Sequence, residues 1–250
     1  MKKSYINGIV HSNVQIANDV YELKIKSGDS FLDHFMGDPG QFYMLRSWEL
    51  DPLLSRPLSI SNILQGMIIF IYEVVGKGTE MLSKLGEGDY LELLGPLGNG
   101  FNLDLKGDIG IVTGSAGIAP MIYLMEKLNM NIDFYCGFKD KVYGIDKIEK
   151  KARDIYISTE DGSVGHKGLI TELFVPEKYD MVLTCGPIPM MGKVASMCKE
   201  EGVPVYLSME SRMACGFGAC LGCTIETISG MKRVCKDGPI FSGEEVVFHD

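Results

Sequence analysis

Four cysteines stand close together near the end of the chain, spaced Cys215-x4-Cys220-x2-Cys223-x11-Cys235. Thiolates are soft ligands, and three from one short loop with a fourth further on match the spacing of a plant-type 2Fe-2S centre. The filler agrees. Gly216, Gly218, Ala219 and Gly222 are small, so backbone can run close to the sulfurs and turn N–H groups toward them. Two other readings stay open. Structural zinc prefers two separated pairs of ligands, and a Cys220-x2-Cys223 redox pair leaves Cys215 and Cys235 without a role. Cys136, Cys185 and Cys198, each in apolar surroundings, read as buried inert thiols. A centre that carries one electron at a time needs a supplier of single electrons.

Two earlier stretches suit that supplier, a flavin. In RPLS, Arg56 can hold a pyrophosphate bidentately, Pro57 stiffens the approach and Ser59 offers a small hydroxyl. In YEVVGKGT, Gly76, Gly78 and Thr79 form a small-residue turn opening the helix-like TEMLSKL, where amides can cradle phosphate. Taken singly, the first also reads as a surface turn and the second as an ordinary helix cap. Two strand ends suit a dinucleotide. TGSAGIAPM places Gly114 and Gly117 between a strand and a helix, and TCGPIPMM does the same for Cys185, Gly186 and Pro187. Neither is the GxGxxG fingerprint. Asp133 and Asp140 are acids available to a ribose, and Asp161 reads as a turn former.

These groups must be positioned by elements whose texture changes twice along the 250 residues. Up to about residue 100, short alternating runs with Gly and Asp punctuation imply a small antiparallel β-barrel. From Lys106, strands such as DIGIVTG and DMVLTCG alternate with helix-like PMIYLMEKLN and PMMGKVASMCKEEG, which implies a parallel α/β sheet covered on both faces. The expected division is 1–102 (all-β), 103–208 (α/β) and 209–250 (cysteine lobe). A net charge of -9 argues against nucleic-acid partners. The odd count of 7 cysteines forbids complete pairing, and MIIFIY (67–72) is too short to span a bilayer, so a cytoplasmic protein is expected. His11, His34, His166 and His249 fall in no motif and read as surface residues.

RPLSIS, IYEVVGKGT, GPLGNGF, the CGP turn, SMESRMACGFGACLGC and VCKDGPIF occur in that order between about residues 5 and 245. Together they resemble the electron-transfer subunits of the dihydroorotate dehydrogenase B family, within the ferredoxin reductase superfamily. The resemblance implies FAD at Arg56, Pro57, Leu58, Ser59, Ile71, Tyr72, Glu73, Gly78 and Thr79, and a 2Fe-2S cluster on the four cysteines. It places Cys185, Gly186 and Pro187 near the nicotinamide of NAD. Relatives in the wider superfamily carry an aromatic residue where Leu58 stands, which leaves Tyr72 as the aromatic available to a ring face. The implied partner is an FMN-containing dihydroorotate dehydrogenase catalytic subunit, in a heterotetramer of two copies of each chain.

The implied division of labour assigns hydride exchange to NAD, conversion to single electrons to the flavin, and their relay to the cluster. No general acid or nucleophile is required. No second flavin domain is legible in these residues, so electrons are expected to pass through a partner, with Met213, Phe217 and Leu221 as candidate contact residues. One alternative is a stand-alone NAD(P)H:ferredoxin-type reductase, recognisable by brisk ferredoxin reduction without a partner. The other is a zinc-stabilised binding or sensor module, which would be colourless.

Overall fold

The computed structural model describes residues 4–27 and 37–249; His34 lies outside them. Seven strands form an N-terminal antiparallel sheet: β1 (Ser4–Ala17), β2 (Val20–Ser27), β3 (Phe42–Arg46), β4 (Arg56–Ser59), β5 (Asn62–Leu64), β6 (Met67–Glu73) and β7 (Tyr90–Leu97). They are ordered β4-β3-β7-β1-β2-β6-β5. Leu23, Ile25, Tyr43, Leu45, Phe70 and Leu93, drawn from across that width, meet in one buried core, so the sheet curls upon itself.

The expected barrel nevertheless does not close. Edge strands β4 and β5 do not pair with each other among the described residues. At Ile60 and Ser61 the chain itself steps across the seam. The Ile60 N–H donates to the Gln41 carbonyl (3.0 Å) on one side, and the Ser61 N–H donates to the Ile69 carbonyl (2.8 Å) on the other. Pro57 within β4 has no N–H for a further partner strand. After β6 comes the short helix α1 (Lys77–Ser83), which buries Gly78, Thr79 and Leu82.

The second half alternates β8 (Ile109–Gly114), α2 (Ile118–Lys127), β9 (Ile132–Phe138), β10 (Asp154–Thr159), β11 (His166–Lys167), β12 (Met181–Cys185), α3 (Ile188–Glu201) and β13 (Val205–Ser208). Their parallel order is β11-β10-β9-β8-β12-β13. Strand periodicity serves both faces: Ile109 and Ile111 pack with Ile118 and Ile122 of α2, whereas Val112 joins Met191, Val194 and Cys198 of α3. The winding reverses between β8 and β12. In open α/β sheets the crevice at such a switch point, beyond the carboxyl ends of the strands, receives ligands.

The cysteine-rich segment adds the hairpin β14 (Thr224–Thr227) and β15 (Gly230–Arg233), the single turn α4 (Val234–Asp237), and β16 (Ile240–Ser242), which pairs antiparallel with β13. Its last strand therefore extends the α/β sheet. Asn99, beyond β7, donates to the carbonyls of Lys236 and Asp237 (both 3.2 Å). Across the halves, Lys147 pairs with the buried Glu22 of β2 (2.5 Å), and the Tyr123 hydroxyl donates to the Gly37 carbonyl (2.9 Å). No helix among the described residues is long and apolar enough to cross a membrane.

Candidate functional site

Where the curled sheet faces the carboxyl ends of β8 and β12, a cleft of about 790 Å³ opens. Its walls come from stretches far apart in sequence: Arg56 to Ser59, Ile71 to Glu73, Gly114 to Gly117, Gly186 with Pro187, and Met209 to Met213. The unclosed seam explains the first two. Strand β4 and the end of β6 flank the gap, and their free edges form the cleft wall.

Arg56 is fixed before any ligand arrives. Its guanidinium donates to the Leu54 carbonyl (2.5 Å), lies 5.3 Å from the centre of the Trp48 ring, and rests on Gly78. A Cβ at Gly78 would come within 2.4 Å of the Arg56 Nε, so the glycine makes room for the cation. Gly78 itself lies behind the lining. Thr79 lines the cleft, but its hydroxyl serves its own turn: Oγ1 accepts the N–H groups of Val75 (3.0 Å) and Gly76 (3.2 Å) and donates to the Gly76 carbonyl (2.9 Å). Tyr72 also reaches the wall. Its ring stacks on Tyr21 (5.8 Å, 22°) and its hydroxyl donates to Asn13, which holds the ring in place at the wall.

The opposite wall is built by two turns in contact. At Gly117 a Cβ would lie 2.1 Å from the Cys185 carbonyl oxygen, and at Gly186 (φ +152) it would lie 2.8 Å from the Gly114 nitrogen. Both neighbours are backbone and cannot swing aside. Gly117→Ala is therefore expected to cost about 1–3 kcal/mol of stability, read as a lower urea midpoint at unchanged slope; an unmoved midpoint would contradict this packing. Gly186 and Pro187 line the cleft, while Cys185 is buried beneath it. Burial, then the Glu210 carboxylate, push its thiol well above the ordinary range.

Of the two acids available to a ribose, Asp133 is already engaged. It accepts from Arg153 (2.7 Å) and from the Tyr179 hydroxyl (2.9 Å) near the start of β9. Asp161 accepts the Ser163 N–H (2.9 Å), as a turn former does. Cys136, Cys185 and Cys198 are all buried, His11 and His166 are half-buried and His249 is exposed.

Met209 to Arg212 are not among the sequence-predicted site residues, and Met213 is among them only as a candidate partner contact. The segment follows the last parallel strand and leads directly into the cysteine loop, which is the signal that joins it to the site. Glu210 is exposed within the cleft, where the crowding of the surrounding walls, then Glu73, raise its carboxyl above the usual range. Met213 is 8% exposed and lies in the core, whereas Phe217 (47%) and Leu221 (63%) are exposed. Of the three candidate contact residues, only the latter two face outward.

The cysteine loop packs on the curled sheet: a Cβ at Gly216 (φ +75) would meet Met44 at 2.7 Å and Leu97 at 2.9 Å. Neighbouring thiols act on one another, Cys215 on Cys235 as well. Cys215 contacts the Cys220 side chain, and Cys235 contacts Cys223. Backbone N–H groups point at the sulfurs, from Ala219 to Cys215 (3.3 Å), from Gly222 to Cys220 (3.5 Å) and from Cys235 to Cys223 (3.4 Å). Desolvation raises the Cys215 thiol, but the N–H groups of Cys220, Phe217 and Ala219 and the Cys220 thiol outweigh it and lower it to about 6. Burial, then Cys223, push Cys235 up to about 12. Among the described residues no three His, Cys, Asp or Glu side chains gather tightly enough to hold one metal ion.

Residues 210–247 match the family described as the iron-sulfur cluster binding domain of dihydroorotate dehydrogenase B. A dihydroorotate dehydrogenase B (NAD(+)) electron transfer subunit of Clostridium acetobutylicum is 50% identical, covering 100% of both chains. One from Clostridium perfringens is 42% identical over 99% of this chain and 100% of that one. Among solved structures, a chain of an NADH-dependent reduced ferredoxin-NADP oxidoreductase, described for flavin-based electron bifurcation, superposes with a TM-score of 0.86. It is 30% identical, with 99% of this chain and 91% of that chain covered. The ferredoxin reductase of carbazole 1,9a-dioxygenase (TM-score 0.69, 19% identity, 83% and 69% covered) shares the fold. Identity over the full length, the matching cysteine domain and the shared fold place the chain in the family of dihydroorotate dehydrogenase B electron transfer subunits.

Proposed function

We propose that this chain passes electrons between NAD and an FMN-containing dihydroorotate dehydrogenase catalytic subunit, in pyrimidine synthesis, using FAD and a 2Fe-2S cluster. The observation that carries the reading is the cleft itself. One cavity takes its walls from the open β-seam, the switch point of the α/β sheet and the stretch leading into the cysteines. We assign 1–102 to FAD binding, 103–208 to NAD binding and 209–250 to the cluster.

The residues fit those groups. About 790 Å³ lies within the range of ordinary cofactor pockets, roughly 300–1,000 Å³. Arg56, held over Gly78, would meet the FAD pyrophosphate, and the loop Gly76 to Thr79 would supply amide donors. The turns at Gly114 to Gly117 and at Gly186 would receive the dinucleotide. A two-iron centre takes two thiolates per iron, so the pairs Cys215/Cys220 and Cys223/Cys235 suit it, and the three N–H donors suit the charge on the sulfurs.

When bound, the flavin exchanges hydride with NAD and single electrons with the cluster. The protein's part is to orient: its cleft would hold the two rings side by side, and Met209 to Met213 bring the cysteine loop to the cleft wall. The test is anaerobic purification followed by a visible spectrum and iron and flavin analysis. About two irons and one FAD per chain are expected; a colourless protein holding zinc would overturn the reading.

The partner is proposed to dock on the cysteine face, in a complex of two copies of each chain. Exposed Phe217 and Leu221 border the loop there. Phe217→Asp, coexpressed with the FMN-containing subunit, is expected to shift the complex toward free chains on size exclusion while keeping its iron. An intact complex would remove Phe217 from the interface.

A further inference from the structure

The cysteine lobe holds a cation that the electron relay does not account for. Arg233 ends β15, opposite Thr224, and so stands across from the residue after Cys223 and two positions before Cys235. Its side chain reaches into the loop carrying the other cysteine pair, where the terminal nitrogen Nη1 donates to the Gly218 carbonyl (3.0 Å). One guanidinium therefore touches both segments that bear the thiols. Asp237 aims it: the carboxylate accepts from the Arg233 backbone N–H (2.8 Å), from Nε (3.1 Å) and from Nη2 (3.4 Å). The side chain of Arg233 is 27% exposed, held down against the loop by these contacts.

Reduction of an iron-sulfur centre adds one negative charge, and nearby positive charge and hydrogen bonding stabilise the reduced form. We propose that Arg233 is a positioning residue that fixes the cysteine loop through Gly218 and holds the reduction potential of the bound cluster above what four thiolates alone would give. Asp237 tempers the same effect. Arginine suits the task because its charge does not titrate and its planar fork meets a carboxylate and a carbonyl at once. The inference rests on the reading that Cys215, Cys220, Cys223 and Cys235 hold a two-iron cluster.

The test is a redox titration of the full-length, cluster-loaded protein followed by electron paramagnetic resonance, with iron content measured alongside. Arg233→Gln is expected to retain its iron and to be about tenfold harder to reduce, a midpoint about 59 mV lower. Arg233→Lys keeps the charge and is expected to recover most of the shift, and Asp237→Asn is expected to move the midpoint the other way. Full iron with an unmoved midpoint in Arg233→Gln would overturn the inference. Should that variant not retain iron, an unmoved midpoint in Asp237→Asn overturns it instead. A wild-type chain with no two-iron signal would sink the underlying reading, and the inference with it, whatever the variants do.

Discussion

Cys235→Ser is expected to leave the protein folded and flavin-loaded but without its iron. Cys235 is fully buried at the start of α4, and its backbone N–H points at the Cys223 sulfur (3.4 Å). Serine offers a hard oxygen in place of a soft sulfur and is rarely deprotonated, so one iron loses half of its protein ligands. Iron should fall from about two per chain toward none, and electron delivery to the catalytic subunit should be abolished. Reduction of a dye that takes electrons directly from the flavin should persist, because the cleft walls come almost entirely from other segments. Cys198→Ser is the matched control. That thiol is equally buried, but on α3 among Met191 and Val194, and its replacement should leave iron unchanged. Full iron in Cys235→Ser, or loss of iron in Cys198→Ser, would refute the assignment of ligands.

Arg56→Ala carries the second large effect, on FAD. The guanidinium is preset by the Leu54 carbonyl and the Trp48 ring, so little conformational freedom remains to be lost on binding. Hydrogen bonds to a charged group are worth about 1.5–3 kcal/mol, which predicts affinity for FAD weakened roughly 10- to 150-fold. Arg56→Lys should fall between, keeping charge but losing the fork. Gly78→Ala tests the same contact from below. Its new Cβ would press on the guanidinium at 2.4 Å, but a flexible side chain can shift, so a smaller loss in the same direction is expected. Titration of flavin-free protein with FAD, followed by fluorescence, measures all three. Equal affinities would exclude Arg56 from the flavin site.

The parts legible before folding were those encoded within a few residues. Cysteine spacing, the strand-turn-helix passages at Gly114 and Gly186, and the change from two-residue to helical periodicity near Lys106 are local patterns, because side-chain direction repeats along strand and helix. What stayed hidden depends on which distant surfaces meet. Tyr72 reads from the sequence as an aromatic available to a ring face, but only the fold shows that it lines the cleft with Tyr21 stacked behind it. Asp133 looks free for a ribose until Arg153 and Tyr179 are brought to it.

By itself the sequence determined the family, the two kinds of sheet, the candidate thiol ligands and the glycine turns, since each is a matter of residue type and short spacing. Only the tertiary structure decided that β4 and β5 stay unpaired with Ile60 and Ser61 stepping across the seam between them, that β16 joins the α/β sheet, and that Glu210 faces the same cleft as Ser59. The physical reason is the range of the interactions. Periodicity and spacing report on neighbours along the chain, whereas a cleft shared by residues 56 and 213 exists only once long-range packing has brought its walls together.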